Sequence, residues 1–300
     1  MTHVTSSPGR AFRFGDPPSP FPSNYTHVTR AAYSPGMALK SLSPSRASDF
    51  KTCPRLFKFR VIERIPEPTT PQQARGTTAH AALQRLFDLP GLERTPEALF
   101  DLFRKIWAQM RSEEFAGLFP GVEEERAWGI ESLELLANYF TIEDPRCVEP
   151  TGREMYLKED LDGMTIIGIL DRMEETADGR LAITDYKTGK APPEQYALPA
   201  FFALKIYAML VRRLKGRTPD IVRLIYLNGP TLSQLEITDD QLDAVNRQMR
   251  AIWEAIERAM EQDDFPTRVS RLCDWCSFQS ICPAWAETDK PVELAGAASG

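Results

Sequence analysis

Apolar positions along the chain follow two rhythms, and the change from one to the other divides the sequence near residue 150. Before it, residues 76–87, 92–115 and 122–140 carry apolar side chains three or four apart, the spacing of helices with one buried face. A shorter helix over 46–52 is announced by Ser43-Pro44-Ser45, residue types that cap and start helices, and Cys53-Pro54 ends it. A basic-aromatic segment follows over 55–65, then a loop over 66–73. After residue 150, β-branched runs predict strands over 153–158, 164–174, 180–187 and 221–228, with a short edge strand over 233–237. Ala177-Asp178-Gly179 makes the turn of a hairpin between the second and third. Helices return over 198–213, with Pro199 in the first turn, and from the capping signature Thr238-Asp-Asp-Gln241 through Glu261. The order helix, three strands, helix, strand reads as α/β, one mixed sheet covered by helices.

Residues 1–36 lack either rhythm, and their Ser, Pro, Thr and Gly content reads as a disordered tail; 287–300 reads as a flexible one. Met37, directly before the patterned 38–43, is then a candidate start, which N-terminal peptide mapping would test. The 300 residues are 42% hydrophobic and 26% charged, ample for one large core. No apolar run is long enough to span a bilayer, and no signal-peptide pattern opens the chain, so a cytoplasmic location is expected. The net charge of −6 neither supports nor excludes nucleic acid, because local basic patches make the phosphate contacts. Arg55, Lys58, Arg60 and Arg64, interleaved with Phe57 and Phe59, form one such patch.

Candidate chemistry gathers on the hairpin. Asp171 follows Ile169-Leu170 on one strand, and Asp185 follows Ile183-Thr184 on the other. A carboxylate in such company is costly unless it is paired or binds a metal. Lys187, two residues past Asp185, shares its face. Two acids and a lysine at one point suit metal-assisted phosphodiester hydrolysis, the acids holding a divalent cation and the ammonium orienting water or offsetting charge on the phosphate. Read alone, the stretch equally fits an amphipathic hairpin with a surface ion pair. His80 is one of three histidines and lies on the apolar face of its helix, four residues after Gly76. By itself it reads as a core histidine; beside two acids and a lysine it reads as their nitrogen ligand. Glu154 fits either an outer acid of such a site or a solvated strand-end glutamate.

Five cysteines, an odd number in a chain that looks cytosolic, argue against disulfides. Cys273-x-x-Cys276-x5-Cys282 with the distant Cys53 offers four thiolates to zinc or an iron–sulfur cluster. One distant cysteine plus a compact triplet suits a 4Fe–4S cluster better than the paired Cys-x-x-Cys knuckles of structural zinc. Such a cluster would staple the N-terminal helix to the C-terminal end. Cys147 stands apart and reads as structural.

In this order the motifs resemble the RecB-like branch of the PD-(D/E)XK nucleases, and its iron–sulfur members, such as the AddB nuclease domain and the RecB-like exonucleases of CRISPR adaptation. The resemblance spans 38–286. It rests on Ser43-Pro-Ser45 to Cys53-Pro54, Gly76-Thr-Thr-Ala-His80, Gly168-Ile-Leu-Asp171, Asp185-Tyr-Lys-Thr-Gly189, and the triplet Cys273, Cys276 and Cys282. It implies a restriction-endonuclease-like core and a DNA nuclease, an exonuclease acting on single-stranded ends, in repair, recombination or CRISPR adaptation. It also implies that His80, Asp171, Asp185 and the Tyr186 carbonyl hold Mg²⁺ or Mn²⁺ while Lys187 acts on the attacking water. Tyr207, Arg55, Lys58 and Arg60 would contact substrate; the family's Gln-x-x-x-Tyr is broken here, since Ala203 stands one turn before Tyr207. No Walker-type Gly-x-x-x-x-Gly-Lys occurs, so a helicase or recombination partner would be a separate chain. The competing expectation is a non-catalytic iron–sulfur module that grips DNA for such a complex.

Overall fold

The structure, a computed structural model, describes residues 39–285. The tails expected over 1–36 and 287–300, and the candidate start at Met37, lie outside the described residues. Five strands form one sheet in the order of the chain: β1 (Pro150–Leu161), β2 (Met164–Glu175), β3 (Leu181–Lys187), β4 (Ile221–Tyr226) and β5 (Thr231–Glu236). Neighbours are antiparallel except β3 and β4, which run parallel. That reversal follows from the helix between them, because parallel neighbours need a crossover where a tight turn would make a hairpin. The mixed α/β sheet with flanking helices is the restriction-endonuclease-like core expected from the sequence.

Six longer helices are labelled α1 (Pro44–Thr52), α2 (Pro71–Leu86), α3 (Pro96–Glu113), α4 (Val122–Ala137), α5 (Phe202–Lys215) and α6 (Asp239–Glu261). Strand alternation divides the apolar residues between two cores. Leu181, Ile183, Val222 and Leu224 pack with α1, α5 and α6. Tyr186 and Ile225 pack with α2, α3 and α4. β3 is therefore buried over nearly its whole length, and its run of consecutive apolar residues is what a strand covered on both faces requires.

Several boundaries differ from the sequence reading, each for a local reason. Helix α2 starts at Pro71 rather than near Gly76, because Thr70 and Gln73 cap one another's backbone N–H groups, at 3.2 and 2.9 Å. The basic-aromatic segment, given no element by the sequence, forms a helical turn, Pro54–Phe57, that passes into a π-helical turn, Lys58–Ile62. The helix expected over 198–213 is broken at Phe201 into a turn, Ala197–Ala200, and α5, which Gly216 stops in the left-handed conformation. β1 runs longer than expected at both ends and meets β2 through Asp162-Gly163. Both residues have positive φ, as a two-residue hairpin turn demands. Among the described residues no helix is long and apolar enough to cross a membrane.

Helix α5 tests the layering. Leu210 is fully buried in the first core, whereas Leu214, one turn later, is 46% exposed. We expect Leu210→Ala to cost about 2–5 kcal/mol of unfolding free energy in urea titration. Leu214→Ala should stay within about 0.5 kcal/mol of the wild type.

Candidate active site

The β2–β3 ladder is paired from Glu175–Leu181 to Arg172–Thr184 and stops there. The next position outward places Asp171 opposite Asp185, where the strands no longer share hydrogen bonds. A backbone N–H released from a ladder must find another partner. Here the Tyr186 N–H donates to Asp171 Oδ2 at 2.9 Å. The same oxygen lies 3.2 Å from His80 Nδ1 on α2. Asp185 turns to Lys187, with Oδ2 and Nζ 2.7 Å apart.

β1 contributes Glu154. Its flanking residues pair as Arg153–Arg172 and Met155–Leu170, which puts Glu154 directly across from Asp171. Its φ of 43° is left-handed, unusual for a residue other than glycine, and such strain collects at functional sites. Arg153 fixes this stretch by donating to the Gln84 carbonyl and to Asp88 Oδ1, both at 2.7 Å, at the end of the helix that carries His80. Ligand atoms of His80, Glu154 and Asp171 all lie within 4.8 Å of one another. Three half-buried donors, one imidazole and two carboxylates, make a set that suits a divalent cation. Asp185 stands outside that group in the conformation that pairs it with Lys187.

Charge crowding marks the same place. Burial pushes Glu154 up to about 7, helped by Asp171 and opposed by His80. Burial likewise pushes Asp185 up to about 6, with Asp171 raising it further against Lys187. Burial alone would depress His80, but the charge and hydrogen bond of Asp171 outweigh it and draw the imidazolium up to about 9. Burial would raise Asp171 too, yet His80, the Tyr186 N–H and Lys187 hold it below the usual carboxylate range. Tyr207 is raised by burial and then by Asp185 and Asp171, so its hydroxyl sits in the field of these acids. Gly168 makes room for it, since a Cβ there would collide with the Tyr207 ring.

The other expected residues are placed as follows. Cys53, Cys273, Cys276 and Cys282 are unbridged and line one cavity of about 50 Å³ with Arg55, Arg268 and Trp285. The Arg268 N–H donates to Cys53 Sγ and the Ser270 N–H to Cys273 Sγ, each at 3.4 Å. Cys147 is exposed beside Asp144, apart from them. Two members of the basic patch are answered by acids: Lys58 meets Asp263 at 2.7 Å, and Arg60 lies between Asp49 and Glu67, both at 2.7 Å. Arg55 is different, with a buried Nε that has no hydrogen-bond partner.

Residues 41–283 match the PD-(D/E)XK nuclease superfamily. The chain belongs to that superfamily. Gene 69 protein of Mycobacterium phage D29 is 24% identical over 270 residues, covering 81% of this chain and 96% of that protein. A component of the ATP-dependent helicase/deoxyribonuclease of Streptococcus equi subsp. zooepidemicus is 28% identical over 172 residues, 54% of this chain but only 16% of that longer protein. The crystal structure of a presumed exonuclease from Eubacterium rectale aligns with a TM-score of 0.49 at 13% identity, over 86% of this chain and 91% of that one.

For a PD-(D/E)XK nuclease domain the residue that sequence reasoning undervalued is Glu154. The signal was present in Asp162-Gly163: counting outward from that two-residue turn sets Glu154 opposite Asp171.

The raised groups have a measurable consequence. Glu154, Asp185 and His80 each hold a proton more tightly folded than at their ordinary values of 4.5, 3.8 and 6.5. The folded state therefore binds more protons, and stability falls as pH rises through each window. We expect metal-free protein to lose melting temperature between pH 5 and 8, and Glu154→Gln to flatten the part between about 4.5 and 7. An unchanged slope in chelator-treated Glu154→Gln would contradict this placement.

Proposed function

We propose that the chain is a divalent-metal-dependent deoxyribonuclease that degrades DNA from single-stranded ends. The observation that carries this reading is the convergence of His80, Glu154 and Asp171 beside the Asp185–Lys187 pair. A metal there would be Mg²⁺ or Mn²⁺, held by His80, Asp171 and Glu154, with Asp185 and the Tyr186 carbonyl completing the set. When bound, such a cation polarises a phosphoryl oxygen and lowers the pKa of water.

The chain's own groups supply the rest. Asp171, fixed by the Tyr186 N–H, gives an anionic point that does not swing away. Were Asp185 to join the ligands of a cation, Lys187 would be released from it, and its ammonium would be free to orient water or offset charge developing on the phosphate. Tyr207 offers its hydroxyl at the edge of the acids, and Arg55 is a member of the basic patch that forms no ion pair among the described residues. Lys58 and Arg60 would contact a strand only by exchanging their present carboxylate partners for phosphates.

The four cysteines are proposed to hold a 4Fe–4S cluster that joins the end of α1 to the C-terminal coil. Its role is structural, since hydrolysis moves no electrons. Three features favour it: N–H groups aimed at two of the sulfurs, the unpartnered Arg55 Nε on the wall of the same cavity, and the sulfur spacing. Among the described residues no three of these thiols come within 4.8 Å of one another. A tetrahedral zinc site with Zn–S bonds of about 2.3 Å would need about 3.8 Å between sulfurs. The pathway is proposed to be repair, recombination or CRISPR adaptation with a separate helicase-type partner, a reading supported by the similarity to part of a helicase/deoxyribonuclease.

The test is cleavage of end-labelled single- and double-stranded DNA by anaerobically purified protein with Mg²⁺ or Mn²⁺. We expect wild type to degrade single strands from an end and Lys187→Ala to be slower by at least about 100-fold. Strand binding without cleavage by either protein would replace this reading with a DNA-gripping module. Cys276→Ala should lose the brown colour and lower the melting temperature while leaving Mn²⁺ binding in place; a colourless, zinc-replete wild type would refute the cluster.

A further inference from the structure

Behind the acids lies a side chain that the nuclease reading leaves unused. Arg172 follows Asp171 on β2, so strand alternation sends it to the opposite face. It is only 1% exposed, and all three of its side-chain nitrogens are engaged. Nε meets Glu174 Oε2 at 2.9 Å. Nη2 donates to Glu143 Oε2 at 2.8 Å and Glu174 Oε1 at 3.1 Å. Nη1 donates to Glu143 Oε1 at 2.6 Å and to the Tyr186 phenol oxygen at 2.7 Å. The Tyr139 hydroxyl donates to Glu143 at 2.6 Å, and Arg223 reaches Glu174 at 3.3 Å. Two carboxylates and two guanidinium groups are thus gathered inside the second core.

A buried ionic network of this kind is weak evidence for stability, because desolvating the charges consumes much of what their attraction returns. The three Arg172 nitrogens are all satisfied, although the buried Arg223 Nε is not, and a satisfied donor fork holds its partners rigidly. What it holds here is Tyr186. That residue's phenol is bonded to Arg172, and its ring stands edge-on to the His80 imidazole, with centroids 6.2 Å apart and planes at 85°. Its N–H donates to Asp171, and its carbonyl belongs to the ligand set proposed above. Three components of the proposed metal site therefore hang on one residue, whose phenol is held by the Arg172 guanidinium and by Tyr139.

We propose that Arg172 is a positioning residue for the metal site, acting through Tyr186. The proposal rests on the metal-site reading above and goes beyond it, because Arg172 is not among the residues proposed to hold the cation. Lysine cannot replace it: a single ammonium keeps the charge but lacks the planar fork that spans Glu143, Glu174 and Tyr186 together. Partners that orient metal ligands from behind typically change affinity about 10–100-fold when lost.

The experiment is Mn²⁺ titration calorimetry on wild type, Arg172→Lys and Thr184→Val, with melting temperature and far-ultraviolet circular dichroism on each. Thr184 bonds Glu174 and Arg172 at 3.2 and 3.3 Å, so its loss disturbs the same network without removing a bond to Tyr186. We expect folded Arg172→Lys to bind Mn²⁺ about 10–100-fold more weakly. Thr184→Val should keep wild-type affinity within about twofold whatever its melting temperature, since the tie to Tyr186 remains. Wild-type affinity in folded Arg172→Lys overturns the proposal. So does an equal affinity loss in Thr184→Val at a comparable drop in melting temperature, which would make the role structural only. Should Arg172→Lys fail to fold, Tyr186→Phe cuts the same tie from the other side, keeps the ring against His80, and is judged by the same two outcomes. A wild type that binds no Mn²⁺ would instead remove the metal-site reading itself.

Discussion

The hydrogen bond from the Tyr186 N–H to the Asp171 carboxylate is the contact on which the site depends. It exists because the β2–β3 ladder ends one residue short of the acids, leaving an interior N–H that must be satisfied. A carboxylate that accepts such a bond is locked in place and kept ionised where burial would favour its neutral form. The fork between two strands thus becomes a fixed negative point. His80 from α2 and Glu154 from the edge strand close on that point from either side. The arrangement is costly without a counter-ion. Like charges directly across a strand pair repel, and Glu154 faces Asp171 in this way. The upward pressure on Glu154 and Asp185 expresses that cost, and a divalent cation would relieve it.

The rest of the fold keeps the fork open and steady. Core packing on both faces of β3 and β4 makes the sheet a rigid floor. The ends of the described chain are drawn together beyond it: Lys58 pairs with Asp263 across 205 residues, and the Phe59 and Phe278 rings lie 5.2 Å apart. These contacts carry Cys53 to the cysteine triplet by ordinary packing, so a cluster there would reinforce a closure that the side chains already make.

Much of this was legible from the chain because the informative residues fall where local rules hold. β-branched runs marked the strands, the switch in periodicity marked the mixed sheet, and Asp185-x-Lys187 showed its shared face through strand alternation. The failures have equally local causes. The apolar pattern starts α2 late because Pro71 and Gln73 are residue types of loops, although Thr70 and Gln73 form a capping box. The basic patch looked free because Asp263, which neutralises Lys58, lies far off in sequence and meets it only after folding. Glu154 looked peripheral because its role depends on register across a turn, and Arg172 gave no sign of burial because its acid partner Glu143 comes from a distant helical turn. Pairings between distant segments were the information that periodicity could not supply.

The most direct test of the account is an anomalous-scattering map of crystals soaked in Mn²⁺. The account predicts a manganese peak within bonding distance of His80, Asp171 and Glu154, with Asp185 turned away from Lys187 towards it. A peak elsewhere, or a fully loaded site in which Glu154 and Asp171 make no contact with the ion, would contradict it.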